Sequence, residues 1–182
     1  GAAGLVGQNL ALLLRDKGYT NLVGIDKHPH NTRVLRELNP HMTVIEADLS
    51  QPGRWEESLR GAGALVMLQA QIGGEVYEEF VANNITSTER ILAACHEHDV
   101  GQIVHISSSV VNSRARDFYT ETKRAQEKLV RESGVPCVVL RPTLMFGWFD
   151  RKHLGWLSRF MRRVPVFPIP GSGRYARQPL YN

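Results

Sequence analysis

The stretch GAAGLVG, residues 1–7, decides the fold because a glycine stands at every third position. Gly1, Gly4 and Gly7 leave the backbone without a side chain at three points. A chain needs such positions where it turns tightly, approaches a pyrophosphate and packs a helix closely on a strand. Glycines at this spacing also occur in many other loops, so the pattern gains its meaning from the residues that follow it.

Apolar residues after this loop alternate between helical and strand-like spacing. Five short apolar runs predict buried strands: residues 21–26, 43–48, 64–69, 102–107 and 136–141. Helical patterns separate them, over residues 5–17, 32–38, 53–61, 75–98 and 117–132. This alternation predicts an α/β protein with a Rossmann-like, doubly wound parallel sheet and helices on both faces.

The pattern changes after Arg141-Pro142, where tryptophan, phenylalanine, proline and glycine become frequent. We therefore expect a dinucleotide-binding domain over residues 1–142. Residues 143–182 are expected to begin a smaller, substrate-binding region. A basic cluster lies in this second part, at Arg151, Lys152, Arg159, Arg162 and Arg163. It could attract a nucleotide diphosphate or a nucleic acid, but such a run is more typical of the polar face of an amphipathic helix.

Composition argues against several classes of function. The 182 residues carry a net charge of only +4, which is too small to indicate a nucleic-acid partner. Cys95 and Cys137 lie in apolar surroundings without metal-ligand spacing, which favours buried thiols in a reducing compartment. The histidine pairs HPH and HEH lack completing ligands, so no metal is expected. With neither an apolar run of membrane length nor a leader pattern, we expect a cytoplasmic protein without a membrane partner.

Two acidic residues follow predicted strands and suit a dinucleotide. Asp26 ends the strand after the glycine loop, 19 residues beyond Gly7, where a carboxylate can accept the hydroxyl groups of a ribose. Because a carboxylate repels a 2′-phosphate, Asp26 favours NAD over NADP, and the neighbouring Lys27 softens this preference. The alternative is an aspartate that merely starts a turn. Asp48 either caps the next segment or reaches the adenine side of the same cofactor.

A tyrosine and a lysine stand four residues apart in YTETK, residues 119–123. On a helix they share one face, and a nearby ammonium lowers the pKa of a phenol towards the working pH for proton transfer. Ser107, Ser108 and Ser109 end the preceding strand, at the sheet edge where open α/β proteins bind ligands. The bland alternative for Tyr119 and Lys123 is an ordinary surface pair on an amphipathic helix.

Together these residues resemble the short-chain dehydrogenase/reductase superfamily, in its extended branch of NAD-dependent epimerases and dehydratases. The resemblance covers essentially the whole chain. It implies catalytic roles for Ser109, Tyr119 and Lys123, with Ser108 taking the serine role if the loop register shifts. It also implies cofactor binding and substrate binding by sets of residues that match the family's motifs: for the cofactor Gly1, Gly4, Gly7, Asp26, Asp48, Asn84, Ser107 and Lys123, and for the substrate Ser108 and Arg177.

The resemblance implies an NAD-dependent enzyme that acts on a hydroxyl or carbonyl group of a nucleotide-sugar-like substrate. Two alternatives stay open: an NAD(P)-dependent reductase of a small carbonyl compound, and a dinucleotide-binding regulator or assembly subunit without turnover. A homodimer is one expectation for the assembly. The chain departs from the pattern of sugar-nucleotide epimerases at two places, which leaves the identity of the substrate open. Ser109 and Tyr119 are only 10 residues apart, and glutamines stand at positions 69 and 71. The family's first strand is expected before Gly1 and its substrate lobe beyond Asn182, so the chain is expected to be an internal piece of a longer protein.

Overall fold

The computed structural model describes residues 1–152, 154–164, 166, 168, 171–174, 176 and 178–182. Helices and parallel strands alternate through most of this part of the chain. The helices are α1 (Leu5–Asp16), α2 (Pro29–Leu38), α3 (Tyr77–Phe80), α4 (Ser87–Glu97), α5 (Phe118–Glu132) and α6 (Leu154–Met161). The strands are β1 (Val23–Asp26), β2 (Thr43–Glu46), β3 (Leu65–Met67), β4 (Ile103–Ile106), β5 (Cys137–Leu140), β6 (Met145–Phe146) and β7 (Leu180–Tyr181).

The strands pair in parallel, as the sequence predicts, but they form three separate sheets. β1 pairs with β2, β4 lies between β3 and β5, and β6 pairs with β7. The start of the glycine loop lies between the first two sheets. The Ala2 N–H donates a hydrogen bond of 3.1 Å to the Ile25 carbonyl of β1, while a Cβ on Gly1 would be 2.6 Å from the Leu68 carbonyl carbon, just after β3. The glycine loop therefore separates the β1–β2 sheet from the β3–β5 sheet.

The larger apolar core packs the three-stranded sheet against α4 and α5. Ile103 of β4 and Val130 of α5 are fully buried there, together with Ile91 and Cys95 of α4. A smaller core joins Ala3 and Ala11 of the loop and α1 to Leu35 of α2. Each fully buried aliphatic side chain stabilises the fold by about 1.5–3 kcal/mol relative to an exposed one. Helices therefore cover both the β3–β5 sheet and the glycine loop.

Two of the predicted helices differ from their expected form. The segment predicted over residues 53–61 contains only a 3₁₀ helix, Glu56–Leu59, because Gly61 follows with a φ of +74° that ends the helical path. The segment predicted over residues 75–98 is divided into α3 and α4 by a π-helical stretch, Val81–Thr86. The end predicted for α1 is confirmed, since Lys17 caps it and Gly18 follows with a φ of +85°.

No helix in the described part of the chain combines the length and the apolar character that a membrane crossing requires.

The packing of α1 on the glycine loop depends on Gly7. A Cβ added there would be 2.2 Å from the Ala2 carbonyl oxygen, a contact that only a backbone shift could relieve. We expect Gly7→Ala to lower the free energy of unfolding by about 1–3 kcal/mol, the usual effect of overpacking. Intrinsic helix propensity alone would favour alanine by about 1 kcal/mol, so this substitution separates the two effects by sign.

Urea unfolding of Gly7→Ala and Gly63→Ala provides the comparison. Gly63 is the matched control, because a Cβ there would meet nothing within 4 Å. We expect Gly63→Ala to change stability little. If Gly7→Ala is as stable as the wild-type protein, the prediction is wrong, and α1 can move away from the glycine loop without loss of stability.

Candidate active site

A cavity of about 410 Å³ lies at the carboxyl ends of the strands. Gly1, Gly4 and Asp26 line it on the side of the glycine loop and β1, while Tyr119 and Lys123 line it from α5. The structure therefore brings the dinucleotide motif and the Tyr-Lys pair to one cavity. This is the sheet edge at which open α/β proteins bind their ligands.

The glycine loop presents the free end of a helix to this cavity. Gly4 is the N-cap of α1 and supplies no side-chain hydrogen bond to the first turn. The N–H groups of a helix's first turn have no intrahelical acceptor, and together with the helix dipole they favour an anion. A Cβ on Gly4 would be only 3.3 Å from the Gly1 carbonyl oxygen, so the loop stays narrow. This loop fits a pyrophosphate.

Asp26 occupies the end of β1 and is almost fully buried. Its carboxylate accepts hydrogen bonds of 3.0 Å from the backbone N–H groups of Ala3 and His28. Burial acts to raise the pKa of Asp26, but the hydrogen bonds from the backbone N–H groups of His28 and Ala3 act to lower it, and the pKa lies below its ordinary value. Asp26 is therefore a fixed anion at the cavity wall, which suits a ribose diol and opposes a 2′-phosphate.

Asp48 is not itself among the described residues that line the cavity, although its neighbours Ala47 and Leu49 are, and its carboxylate binds Lys27, which does line the cavity. The Lys27 ammonium donates to Asp48 at 3.2 Å and to the amide oxygen of Asn83 at 2.6 Å. The Asp48 carboxylate also accepts from the backbone N–H and the hydroxyl of Ser50. The positive charge of Lys27 is thus partly neutralised beside Asp26, which preserves the preference for NAD that Asp26 predicts.

Tyr119 lies in the first turn of α5, and Asp117 caps that turn by accepting a hydrogen bond from the Thr120 N–H. Burial raises the pKa of the Tyr119 phenol, and a hydrogen bond with the Ser108 side chain opposes this rise. The phenol is therefore neutral at neutral pH in this conformation. The expected lowering of its pKa by Lys123 is not seen, because the lysine ammonium points elsewhere.

The Lys123 ammonium is buried and faces the end of β4. It donates to the Ile106 carbonyl at 3.1 Å and to the side-chain oxygen of Gln126. Burial lowers the pKa of Lys123 to about 8, and the nearby Glu127 carboxylate limits the shift. Lys123 thus keeps most of its charge at pH 7, and a modest change in its surroundings alters its protonation.

Glu127 continues the face of α5 that carries Tyr119 and Lys123, since the three residues stand four apart. Its buried carboxylate accepts a hydrogen bond of 2.7 Å from the Ser107 hydroxyl. Arg131 and Arg141 donate to it at 2.9 and 3.0 Å. Ser107 lines the cavity, as a cofactor-binding residue should, but its hydroxyl donates to Glu127. Sequence analysis missed Glu127, although its spacing from Tyr119 and Lys123 is the signal for it.

Asn84 does not take the cofactor-facing position that the resemblance implies. It is fully buried, where its amide oxygen accepts from the Gln71 N–H at 2.7 Å and its amide nitrogen donates to the Thr122 hydroxyl at 2.9 Å. Asn83 lines the cavity instead. The π-helical stretch accounts for this placement, because its wider turn changes which of two neighbouring residues faces the cavity.

The serines after β4 also differ from expectation. Ser109 was assigned the catalytic role, but it begins a 3₁₀ helix and its backbone N–H donates to the Pro142 carbonyl at 2.9 Å. The Ser108 hydroxyl accepts from the Val110 N–H at 3.4 Å, and Ser108 is the serine that acts to lower the pKa of the Tyr119 phenol. The structure thus favours the shifted register that the sequence left open. Arg177, the other residue predicted to bind substrate, lies outside the described residues.

Glu127→Gln tests whether the carboxylate stabilises this arrangement. The arginine and serine hydrogen bonds lower the pKa of Glu127 from 4.5 to about 2. A carboxyl group with a lowered pKa stabilises the folded state above pH 4.5, and this contribution is lost as the pH falls towards 2. We expect Glu127→Gln to lower the free energy of unfolding at pH 7 by on the order of 2 kcal/mol, and by less at pH 3.

Urea unfolding at both pH values measures the effect. Glu132→Gln serves as the control, since Glu132 is exposed and lies 4.0 Å from Lys128 on the same helix. Exposed pairs of this kind contribute at most about 1 kcal/mol. A loss for Glu127→Gln that is the same at pH 7 and pH 3 would contradict a charge-based role.

Comparison with known proteins agrees with this geometry. Residues 1–181 match the family model described as the NAD dependent epimerase/dehydratase family. The chain belongs to this family. The resemblance and the fold class predicted from the sequence are therefore confirmed.

Individual relatives are more distant. The chain is 27% identical over 219 residues to the uncharacterized UDP-glucose epimerase YtcB of Bacillus subtilis, covering 100% of this chain and 67% of that protein. It is 26% identical over 170 residues to a ceramide reductase of Caulobacter vibrioides, covering 93% of this chain and 52% of that protein. Among solved structures, UDP-glucuronic acid 4-epimerase from Bacillus cereus, in complex with UDP-glucuronic acid and NAD, matches with a TM-score of 0.83 and 25% identity. That match covers 100% of this chain and 67% of the epimerase chain.

Proposed function

We propose that this chain binds NAD and contributes the proton-transfer residues of an epimerase or dehydratase that acts on a nucleotide sugar. One observation carries the proposal: the glycine loop, Asp26, Tyr119 and Lys123 line a single cavity. A dinucleotide-binding module without turnover needs the first two features only. The similarity to epimerases of UDP-sugars supports the same substrate class.

The residues present fit NAD along the length of the cavity. The first turn of α1 would hold the pyrophosphate, Asp26 would accept the hydroxyl groups of the adenosine ribose, and Asp48 would lie at the adenine side. Lys123 would bind the ribose at the nicotinamide end, as the resemblance implies. The chemistry that bound NAD supplies is the reversible acceptance of a hydride.

Tyr119 is the residue that exchanges a proton with the substrate oxygen. As a phenolate it accepts the proton of a hydroxyl group, and as a phenol it returns a proton to a carbonyl oxygen. The burial that raises its pKa favours the phenol, so deprotonation requires a cation near the phenolic oxygen. Lys123, one turn along α5, is the cation on the same helix face.

Ser108 has the positioning role at the same oxygen. Ser108 acts to lower the pKa of the Tyr119 phenol, so its hydroxyl is close to the phenolic oxygen, and a serine hydroxyl can donate to a substrate oxygen by rotation. We therefore assign Ser108, rather than Ser109, to orient the reacting oxygen of the substrate. The backbone N–H of Ser109 donates to the Pro142 carbonyl, and Ser109 is the first residue of the 3₁₀ helix.

Tyr119→Phe tests the proposal directly. Removing the phenolic oxygen leaves the ring and the cavity shape but abolishes proton transfer, which contributes roughly 10²–10⁴-fold to rate. We expect turnover of UDP-glucose or UDP-glucuronic acid to fall by at least about a hundredfold. The affinity for NAD, measured by isothermal titration calorimetry, should stay within about threefold of wild type, because Tyr119 is assigned to proton transfer rather than to cofactor binding.

Tyr19→Phe is the matched control, since Tyr19 is an exposed tyrosine outside the cavity. It should leave both turnover and NAD binding unchanged. Full turnover in Tyr119→Phe would exclude the proposed catalytic role. If the wild-type protein binds NAD but turns over neither UDP-sugar, the binding-module alternative is favoured.

A reductase of a small carbonyl compound is the second candidate, and the similarity to a ceramide reductase is the observation that favours it. The two functions differ in the fate of the hydride. An epimerase or dehydratase returns the hydride to the same substrate and recycles its cofactor in place. A reductase must exchange its cofactor at every turnover.

Retention of the cofactor through purification distinguishes these functions. We expect denaturation of the purified protein to release close to one equivalent of NAD, identified by absorbance and mass. Release of less than about a tenth of an equivalent, with reversible binding of NADH or NADPH, would instead favour the reductase. A homodimer and a cytoplasmic location stay predictions.

A further inference from the structure

His98 is a buried histidine without a hydrogen-bond partner on its ring. Only 7% of the residue is exposed, and among the described residues neither ring nitrogen has a partner. A neutral imidazole has one donor and one acceptor, and leaving such groups buried and unpaired is unfavourable. An unpaired buried nitrogen therefore indicates a missing partner.

Two carboxylates lie beside this ring. His98 follows Glu97 at the end of α4, and Glu57 approaches from the 3₁₀ helix Glu56–Leu59. One carboxylate oxygen from each glutamate and one ring nitrogen of His98 all lie within 4.8 Å of one another. The carboxyl end of a helix also carries partial negative charge, which favours a cation there.

We propose that Glu57, Glu97 and His98 bind a divalent transition-metal ion of the Zn²⁺ type. An imidazole nitrogen with two carboxylate oxygens is a ligand set that suits Zn²⁺ or Co²⁺ better than Mg²⁺ or Ca²⁺, which prefer oxygen ligands alone. Three protein ligands leave a fourth position for water, and the exposed glutamates leave that position accessible.

The site differs from the active site in place and in effect. None of its three residues lines the active-site cavity. Its ligands come from two elements that are distant in sequence, so a bound ion ties the crossover after β2 to the end of α4. The expected role is structural: the ion stabilises the folded state because it binds that state alone.

Arg60 is the competing cation. Its guanidinium donates to one oxygen of Glu57 at 2.8 Å. A carboxylate has two oxygens, each of which can accept a hydrogen bond or bind a metal ion. The Arg60 contact is exposed on both sides, so displacing it requires little free energy.

Zn²⁺ titration of the EDTA-treated full-length protein at pH 7, by isothermal titration calorimetry, tests the site. We expect one equivalent to bind, and the affinity to fall at least about tenfold in His98→Ala and in the double variant Glu57→Gln/Glu97→Gln. The double variant changes only exposed side chains, so it remains informative if His98→Ala fails to fold. Thermal unfolding should show a rise in Tm with Zn²⁺ for wild type and not for the double variant.

His96→Ala is the matched control, because His96 is an exposed histidine in the last turn of the same helix. It should bind Zn²⁺ as wild type does. The proposal is overturned if Zn²⁺ does not bind, if all variants bind equally, or if affinity depends on His96 rather than on His98 and the glutamates.

Discussion

The burial of an ammonium and a carboxylate on one face of α5 is the constraint on which the site depends. A charged group removed from water costs several kcal/mol unless hydrogen bonds replace the lost solvation. Lys123 finds its partners in the Ile106 carbonyl and Gln126, and Glu127 finds one in the Ser107 hydroxyl. Both partners on β4 lie where that strand ends, so the charges fix α5 against the end of the strand.

The same contacts fix the surroundings of the cavity. The Gln126 amide that accepts from Lys123 also donates to the Thr88 hydroxyl at 3.0 Å, which joins α5 to α4. Thr122, which precedes Lys123 on α5, accepts a hydrogen bond from the Asn84 side chain. Asn84 in turn accepts from the Gln71 N–H, so these contacts connect α5 to the chain after β3. A helix that is held at several points presents Tyr119 in a defined direction, and preorganisation of this kind is what proton transfer requires.

Local patterns could predict most of the fold and the principal residues of the site. The glycine spacing, Asp26 and the Tyr119–Lys123 pair each depend on neighbours close in sequence. Asp26, Tyr119 and Lys123 line the cavity with Gly1 and Gly4, whereas Gly7 packs against Ala2. The sequence predicts less where geometry depends on packing. A π-helical stretch brings Asn83 rather than Asn84 to the cavity, and a 3₁₀ helix begins at Ser109. Neither irregularity has a sequence signal comparable to a glycine or a proline. The proposed metal site could not be predicted from the sequence either, because Glu57 and His98 come close together only in the folded chain.

The charges around the cavity bear on the proposed pair of ligands, NAD and a nucleotide sugar, because each of these molecules carries a pyrophosphate. Asp26 is a fixed anion, and Lys27 is partly neutralised by Asp48. Arg151 and Lys152, from the segment after β6, add positive charge to the cavity wall, although NAD contributes only one pyrophosphate. A nucleotide sugar brings a second pyrophosphate, whereas a ketone or a ceramide-like substrate brings none. Under the proposed function, the diphosphate of the substrate would meet these two exposed cations, which attract an anion to the cavity without requiring one to be bound.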